Sequence, residues 1–564
     1  VKDNIIQERF FENPEIEAID ILLQERMPDN VIITKEKKEK VEKIKYVDYD
    51  YYSVRTFDKK NDAINEYNLV SNNGYSVLID KKGNGYSKYK GKIINRYKPT
   101  DNFDEGIHFF VKNIKSKNVW SPTDLSYFNK AEKYSVSFFP DKSKFSRAEE
   151  NIKTELSVIV APEDPVEIRK LELKNIGLDD QILEVSSAFE PVISEVLQDY
   201  AHKAFNNLFL SFDIQDGVII AKRKFRNADE ADVYMAVTLY SDNALSGEVE
   251  YEFDKKNLCG RQNFGVPYLI KHSKPFSNKP ENTTNPVIAF RKSVEIKSNE
   301  ECNVSLIISV SESRAEAVQN VKKYMSVDAI ERAINLSKAQ SEAKIQYLGT
   351  HGKNVNLYQR ILSHCLNKCG KQGEIVNSDR IYNTSELWKF GISGDNLIIL
   401  VFVKNIGETD IVENLINAFE YYKMQNMPVD LVIVNEENDS YESYVKDTVD
   451  EMISNHQLSN INANGRIFVL SNVGDEDKEL LKVRSDLIFY GSNGKLDYQL
   501  DEFDYEYIKM LKNVKYQNKN SINKTAVNGS STAEKLDMED LKFFNEYGGF
   551  STDGKEYVIN VNKN

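Results

Sequence analysis

Cysteine is scarce in this chain: four in 564 residues, at positions 259, 302, 365 and 369. So few over such a length exclude a disulfide framework, and a reducing, cytoplasmic setting is the expectation. His364-Cys365-x-x-x-Cys369 has the spacing of half a zinc site. No second ligand pair with suitable spacing follows, so neither a metal nor a cofactor is expected. Long apolar runs are missing as well. The strongest covers 397–403, far short of the ~20 residues that cross a bilayer, and no direct membrane insertion is expected. The first residues, Val1-Lys2-Asp3-Asn4, carry no apolar signal-peptide region and no initiator Met. They read as the start of an internal fragment or an alternative-start product. Basic residues are outnumbered, 74 against 88 acidic, for a net charge of −14. That balance argues against nucleic acid as a partner, because phosphate-backbone binding needs a basic surface. It reads instead as solubility.

What remains is an ordinary globular composition, 40% hydrophobic and 29% charged, long enough for about three to four domains at ~100–200 residues each. Residues 1–50 read as a helical tail followed by a charged linker: Ile5, Phe10, Ile16, Ile19, Leu22 and Leu23 recur at helical intervals, Pro28 stops the run, and 35–46 is rich in Lys and Glu. From 51 to 312 the period becomes strand-like. Apolar runs at 75–79, 107–111, 134–138, 154–160, 166–174, 181–189, 208–214, 218–223, 233–239, 287–296 and 302–310 are punctuated by Asn, Asp, Gly and Pro. So many strands with few helical interruptions predict a large antiparallel β-sandwich. Residues 313–385 read as a helical linker, with Ser313 and Ser326 as N-caps. Residues 386–513 alternate strand and helix (strands 396–403, 429–434, 466–470 and 486–490; helices 411–426 and 441–456), which predicts a small, mostly parallel α/β module. Residues 514–540 read as a polar, flexible linker. Residues 541–564 read as a short helical piece and then the first strand, 556–561, of a second sandwich. The fold class expected is therefore multidomain, β plus α/β.

Several short runs in this order resemble glycoside hydrolase family 94, formerly glycosyltransferase family 36, in its N-terminal β-supersandwich. They are Asn73-Gly74-Tyr75-Ser76-Val77, Gly83-x-Gly85-Tyr86-Ser87, Arg96-Tyr97, Val119-Trp120-Ser121, Val166-Glu167-Ile168-Arg169, Ala201-His202-x-Ala204-Phe205-x-Asn207-Leu208-Phe209 and Gly260-Arg261. The subgroup most resembled is that of the cyclic β-1,2-glucan synthases, through Leu387-Trp388-x-Phe390-Gly391-Ile392-Ser393-Gly394-Asp395 and through Gly548-Gly549-Phe550-x-x-Asp553-Gly554. The resemblance implies a galactose-mutarotase-like sandwich. It also implies that the catalytic acid and the phosphate site of the family belong to an (α/α)6 barrel. The sequence ends before any barrel begins, so no catalytic residue carries over. The expected role is a non-catalytic segment that binds carbohydrate or organises the domains of a β-1,2-glucan-synthesising or phosphorolysing protein. Its expected partners are β-1,2-glucan or a related oligosaccharide and the neighbouring catalytic domains of that protein. An independent glycoside-active enzyme with an unrecognised cleft, or a purely structural interaction module, are the alternatives.

Sugar recognition needs flat rings for the apolar face of a pyranose and fixed donors for its oxygens. Trp120, Tyr86, Tyr89 and Tyr97 are the candidate platforms; Arg96, Arg147 and Arg261 are the candidate donors. His202 is a further candidate within the 201–209 motif. Glycoside hydrolysis would need two carboxylates facing each other across a sugar. Glu190, Glu195 and Asp199, or Glu149 and Glu150, lie close in sequence, which does not establish that geometry. Gly391-Ile392-Ser393-Gly394-Asp395 precedes a strand. A dinucleotide fingerprint follows a strand and opens a helix, so this motif reads as a loop in which Asp395 makes turn or cap contacts.

Overall fold

The computed structural model describes residues 45–49, 52–58, 64–72, 74–97, 106–125, 128, 133–224, 231–242, 247–260, 265–367, 380, 382–437, 444–456, 465–509, 541–544, 548–552, 554 and 556–559. The helical tail, most of the 35–46 linker, the 514–540 linker and Arg261 lie outside the described residues.

The first architecture is an antiparallel sandwich. Its larger layer is a ten-stranded sheet. In spatial order the strands are Lys45–Tyr49, Tyr52–Asp58, Lys133–Phe138, Lys142–Glu149, Ile152–Val160, Val166–Asn175, Glu301–Ser311, Val233–Ser241, Val218–Arg223 and Leu210–Gln215. Two five-stranded sheets face it. One runs Glu250–Asp254, Pro286–Ile296, Gln181–Phe189, His108–Asn113, Val119–Trp120; the other runs Pro191–Ser194, Lys92–Asn95, Gly85–Tyr89, Tyr75–Asp80, Tyr67–Ser71. Alternation along the strands sends one set of side chains into a common core: Phe138, Phe145, Leu156 and Leu171 from the large sheet, Phe109, Trp120 and Phe290 from one small sheet, Tyr75 and Val77 from the other. Among the described residues, four short helices interrupt the strands: α1 (Val196–Ala201), α2 (Lys203–Asn207), α3 (Lys255–Cys259) and α4 (Tyr268–Lys271).

The outer face of the large sheet is apolar too, and helices cover it. Helix α5 (Arg314–Lys323) starts at Ser313, whose Oγ accepts from the Glu316 N–H; α6 (Val327–Tyr347) starts at Ser326, whose Oγ accepts from the Ala329 N–H. Each cap satisfies a backbone donor that a helix start leaves free. Ala317, Val318, Val321, Ile330 and Ala333 pack onto Ile168, Ile220 and Ile307.

Helix α7 (Gly352–Asn367) lies along Tyr67–Ser71, the edge strand of the second small sheet. An edge strand presents unpaired N–H and C=O groups, and here side chains of α7 meet them. Gln359 Oε1 accepts from the Leu69 N–H (3.0 Å) while Gln359 Nε2 donates to the Leu69 carbonyl (2.9 Å). Ser363 Oγ accepts from the Tyr67 N–H (3.0 Å), and Asn367 Nδ2 donates to the Asn65 carbonyl (2.6 Å).

The second architecture is a four-stranded parallel sheet in the order Ile467–Ser471, Val429–Asn435, Leu397–Val403, Leu487–Tyr490. Helices α8 (Asp410–Met424) and α9 (Tyr444–Asn455), with α7 and the helix at 496–509 (α11), supply one apolar cover. The 3-10 helix Thr384–Phe390 and α10 (Asp475–Arg484) supply the other. The strands stand in sequence order third, second, first, fourth, so the order reverses between Leu397–Val403 and Leu487–Tyr490. In open α/β sheets that reversal opens a crevice beyond the carboxyl ends of the strands, where ligands sit. Here Glu408 fills it. Its carboxylate accepts from the Lys404 N–H (2.9 Å) and Asn405 Nδ2 (2.8 Å) and lies against Gly491 so closely that a Cβ there would meet it.

Residues 509–564 form a separate unit. Its described part is a hairpin of Gly548–Phe550 with Tyr557–Ile559. The short helix expected near 541 is not formed at 541–544: Phe543 has a left-handed φ of 54°, and Lys542 bridges to Phe550 in strand fashion. Among the described residues no helix is long and apolar enough to cross a membrane.

Candidate functional site

The polar cluster richest in the predicted residues sits where Pro191–Ser194 hands over to α1. The approach to it is contorted. Pro191–Ser194 pairs with Lys92–Asn95 through a register shift. Within it Ile193, wholly buried, takes a φ of 50°. A β-branched side chain crowds its own backbone at positive φ, so such a value persists only where the surroundings enforce it. Helices α1 and α2 are separated by His202, whose φ of −149° and ψ of 70° break the helical path.

Arg96 enforces this geometry from a strand end about a hundred residues earlier in the chain. It is 2% exposed. Its Nη1 pairs with Glu190; its Nε and Nη2 form a fork on the Asp199 carboxylate at 3.0 and 2.7 Å; Nη2 also donates to Asn207 Oδ1 (3.2 Å). The second Glu190 oxygen takes Lys255 Nζ at 2.6 Å, and Lys203 Nζ lies 3.2 Å from the first. Asn206 Nδ2 donates to Asp199 (3.0 Å), Asn206 Oδ1 accepts from Arg223 Nη1 (2.5 Å), and Asn207 Nδ2 reaches the Thr284 carbonyl (2.8 Å). Burial lowers the Arg96 pKa, but Asp199 and Glu190 outweigh it and hold the guanidinium above its ordinary value. Planar bidentate pairing of this kind is specific to Arg. Burial of both partners makes either one costly to remove.

Above this clamp the segment is apolar and exposed. Leu197 (58% exposed), Tyr200, Phe205 and Leu208 (60%) stand out from α1 and α2 and the residue after them. Phe205 meets Phe209 edge to face at 5.2 Å. The exposed His202 lies among them.

The other candidates are placed differently. Trp120 is 1% exposed and packs in the sandwich core; its position opposite Val111 turns the indole inward, so it offers no face to a ligand. Tyr89 is buried in the same core. Tyr86 is half-buried against the core of the α/β side, 6.0 Å from the Tyr97 ring, and Tyr97 Oη approaches Tyr67 Oη at 3.4 Å. Arg147 is buried, with Nε and Nη2 on Glu149, and Glu150 accepts from Ser116 Oγ. Both ring nitrogens of His364 are taken by the protein, Nδ1 by the Arg360 carbonyl (2.8 Å) and Nε2 by Asp504 (2.7 Å), which leaves neither for a metal. A cleft of about 330 Å³ beside Glu163, Tyr324 and Arg332 is spanned by ion pairs from Lys323 and Arg332 to Glu163.

Sequence reasoning thus found Arg96, Glu190, Asp199 and His202 without joining them. It missed Arg223, Lys255 and the asparagines, although Asn207 stood within the 201–209 motif.

Residues 50–327 match the family model described as glycosyl hydrolase 94, supersandwich domain. The chain is 26% identical over 569 residues to the cyclic beta-(1,2)-glucan synthase NdvB of Rhizobium meliloti (strain 1021), which takes in 99% of this chain and 20% of that protein. The chain therefore spans about a fifth of that relative's length. Among solved structures, a bacterial glucoamylase complexed with acarbose is similar over 54% of this chain and 39% of its own, at 12% identity and a TM-score of 0.31. A family GH92 alpha-mannosidase from Bacteroides thetaiotaomicron is similar over 51% and 36%, at 15% identity and a TM-score of 0.27. Residues 50–327, just under half of the chain, are thus similar to the glycosyl hydrolase 94 supersandwich domain.

Proposed function

We propose that this chain is a non-catalytic, domain-organising segment of a protein that makes or phosphorolyses β-1,2-glucan, and that the α1–α2 face is where it engages a neighbouring domain of the same polypeptide. The observation that carries this reading is the engagement of the carboxylates. Glu190 is held by Arg96, Lys203 and Lys255, and Asp199 by Arg96 and Asn206. Glycoside chemistry asks for one carboxyl that gives up a proton and a second poised across the sugar. Two acids paired to one buried guanidinium, Asp199 by a fork and Glu190 by a single contact, answer a different need, which is to fix a strained turn and hold four apolar side chains outward. Large apolar side chains exposed together on one short segment, 197–208, are of the kind that marks interaction sites.

The test is titration calorimetry of the purified chain with linear β-1,2-gluco-oligosaccharides, with phosphate present and product release assayed in parallel. No turnover is expected. Turnover would send the search back to the carboxylates. For the docking face, Leu197→Asp with Phe205→Ser in the longer parent protein is expected to lower glucan synthesis while the isolated chain keeps its thermal stability. Unchanged synthesis would reject the docking role.

A further inference from the structure

The motif Gly391-Ile392-Ser393-Gly394-Asp395 has no part in the clamp, yet it is tightly built. The 3-10 helix before it opens on a capping box, with the Asn383 N–H donating to Glu386 Oε1 (2.9 Å). At seven residues it is longer than most 3-10 segments. Leu387 turns into the core of the α/β module and is 1% exposed; the next residue, Trp388, is 66% exposed. Gly391, at a φ of 77°, ends the helix in the left-handed region, and wholly buried Ile392 pins the chain back onto the core. Gly394, at a φ of 83°, comes so near Thr384 that a Cβ would strike its methyl group. Thr384 is held in turn by the Arg484 guanidinium. This return brings the Ser393 carbonyl to the indole, and Trp388 Nε1 donates to it at 3.3 Å. The Asp395 N–H closes the turn onto Ser393 Oγ (3.2 Å).

The loop therefore works as a buckle on an exposed tryptophan. With its N–H already used inside the protein, the ring can meet a ligand only through its face. With its orientation fixed, it gives up little freedom on binding. Beside it stand the exposed Ser393 and Asp395, acceptors suited to hydroxyl groups. At this corner Arg380 pairs with Glu386 and Glu476, and Lys389 pairs with Asp477, so these charges offset one another and give an anion no advantage. A neutral, hydroxyl-rich ligand with an apolar C–H face satisfies all of these conditions, and a pyranose has that form. We propose that Trp388 is the stacking platform of a glucan-binding subsite on the α/β module, with the Ser393–Asp395 turn receiving sugar hydroxyls. This subsite is separate from the α1–α2 face, and either can fail without the other.

The chain has two tryptophans, one 1% and one 66% exposed, so acrylamide quenching of the intact chain reads Trp388 almost alone. Linear β-1,2-gluco-oligosaccharides are expected to protect that emission saturably, lowering the quenching constant at least about twofold, whereas sorbitol at equal concentration leaves it unchanged. Trp388→Phe is expected to remove the quenchable component. Trp388→Ala is expected to weaken calorimetric binding about tenfold with no change in Tm, and Asp395→Asn to weaken it less. Absence of protection up to roughly 10 mM sugar, equal protection by sorbitol, or binding unaltered in Trp388→Ala would each overturn the proposal.

Discussion

Gln359 binds Leu69 with both ends of its amide, offering the edge strand the donor and acceptor that a neighbouring strand would otherwise supply. A third contact, from Gln359 Nε2 to Tyr421 Oη (2.6 Å), ties the same side chain to α8. Gln359→Leu keeps the volume and strands a buried N–H and C=O at Leu69. At ~1–3 kcal/mol for each of the two unsatisfied groups, a loss of about 2–6 kcal/mol is expected in urea unfolding, together with faster exchange of the Leu69 amide.

Arg96→Met removes the cation that two buried carboxylates share. Breaking a buried pair on one side costs about 3–5 kcal/mol. The loss should be local, with hydrogen exchange and limited proteolysis rising over 196–207 before anywhere else in the sandwich. Uniform destabilisation would show that Arg96 supports the core rather than the turn.

Acid should unfold this protein early, for two reasons of the same sign. His108 is 1% exposed, and neither ring nitrogen has a hydrogen-bond partner among the described residues. Burial, with nearby Arg169, depresses its pKa to about 3. Below the ordinary histidine value the unfolded chain binds a proton that the folded one refuses, so stability falls by up to about 1.4 kcal/mol per pH unit from near pH 6 downward. For Asp504, burial raises the pKa, but His364 and Arg360 outweigh it and hold the carboxyl below its usual range. Its contribution is present at neutral pH and lost as pH falls through that lowered value. His108→Leu is expected to flatten the slope of Tm against pH between 6 and 4. Asp504→Asn is expected to lower Tm mainly at neutral pH.

Gly85→Ala tests backbone proximity. A Cβ at this position would land on the Leu78 carbonyl oxygen of the paired strand. Backbone cannot yield as a flexible side chain can, so a loss of about 3 kcal/mol or more, or failure to fold, is expected. Gly91→Ala shares a positive φ but meets no neighbour within 4 Å, and should cost only the backbone strain, about 1–2 kcal/mol.

Much of the fold was legible from the sequence because burial leaves a local trace. The run at 397–403 is apolar throughout, as a strand covered on both faces must be, and the serines at 313 and 326 stood where helix starts need acceptors. Lys142–Glu149 went unread as a strand because six of its eight residues are polar, and only Phe145 and Ala148 are apolar. Helices α1 and α2, of six and five residues, are too short for a 3.6-residue period to register. The site was harder, because residue type announces chemistry while burial decides it. Arg96 read as a donor for sugar and is spent on Glu190 and Asp199. Of two tryptophans, the one chosen, Trp120, proved to be core, and Trp388 lay inside a motif noted for its glycines.

The parallel sheet keeps the strand order that in other proteins opens a cradle for nucleotides, and Glu408 is corked into it. The stopper is anionic and braced by Lys404 and Asn405, so a phosphate would have to evict a charge of its own sign from a place already fully bonded. Replacing Glu408 with serine, which carries no charge and leaves the space beside Gly491 vacant, would be the first step in any attempt to give this scaffold a new tenant.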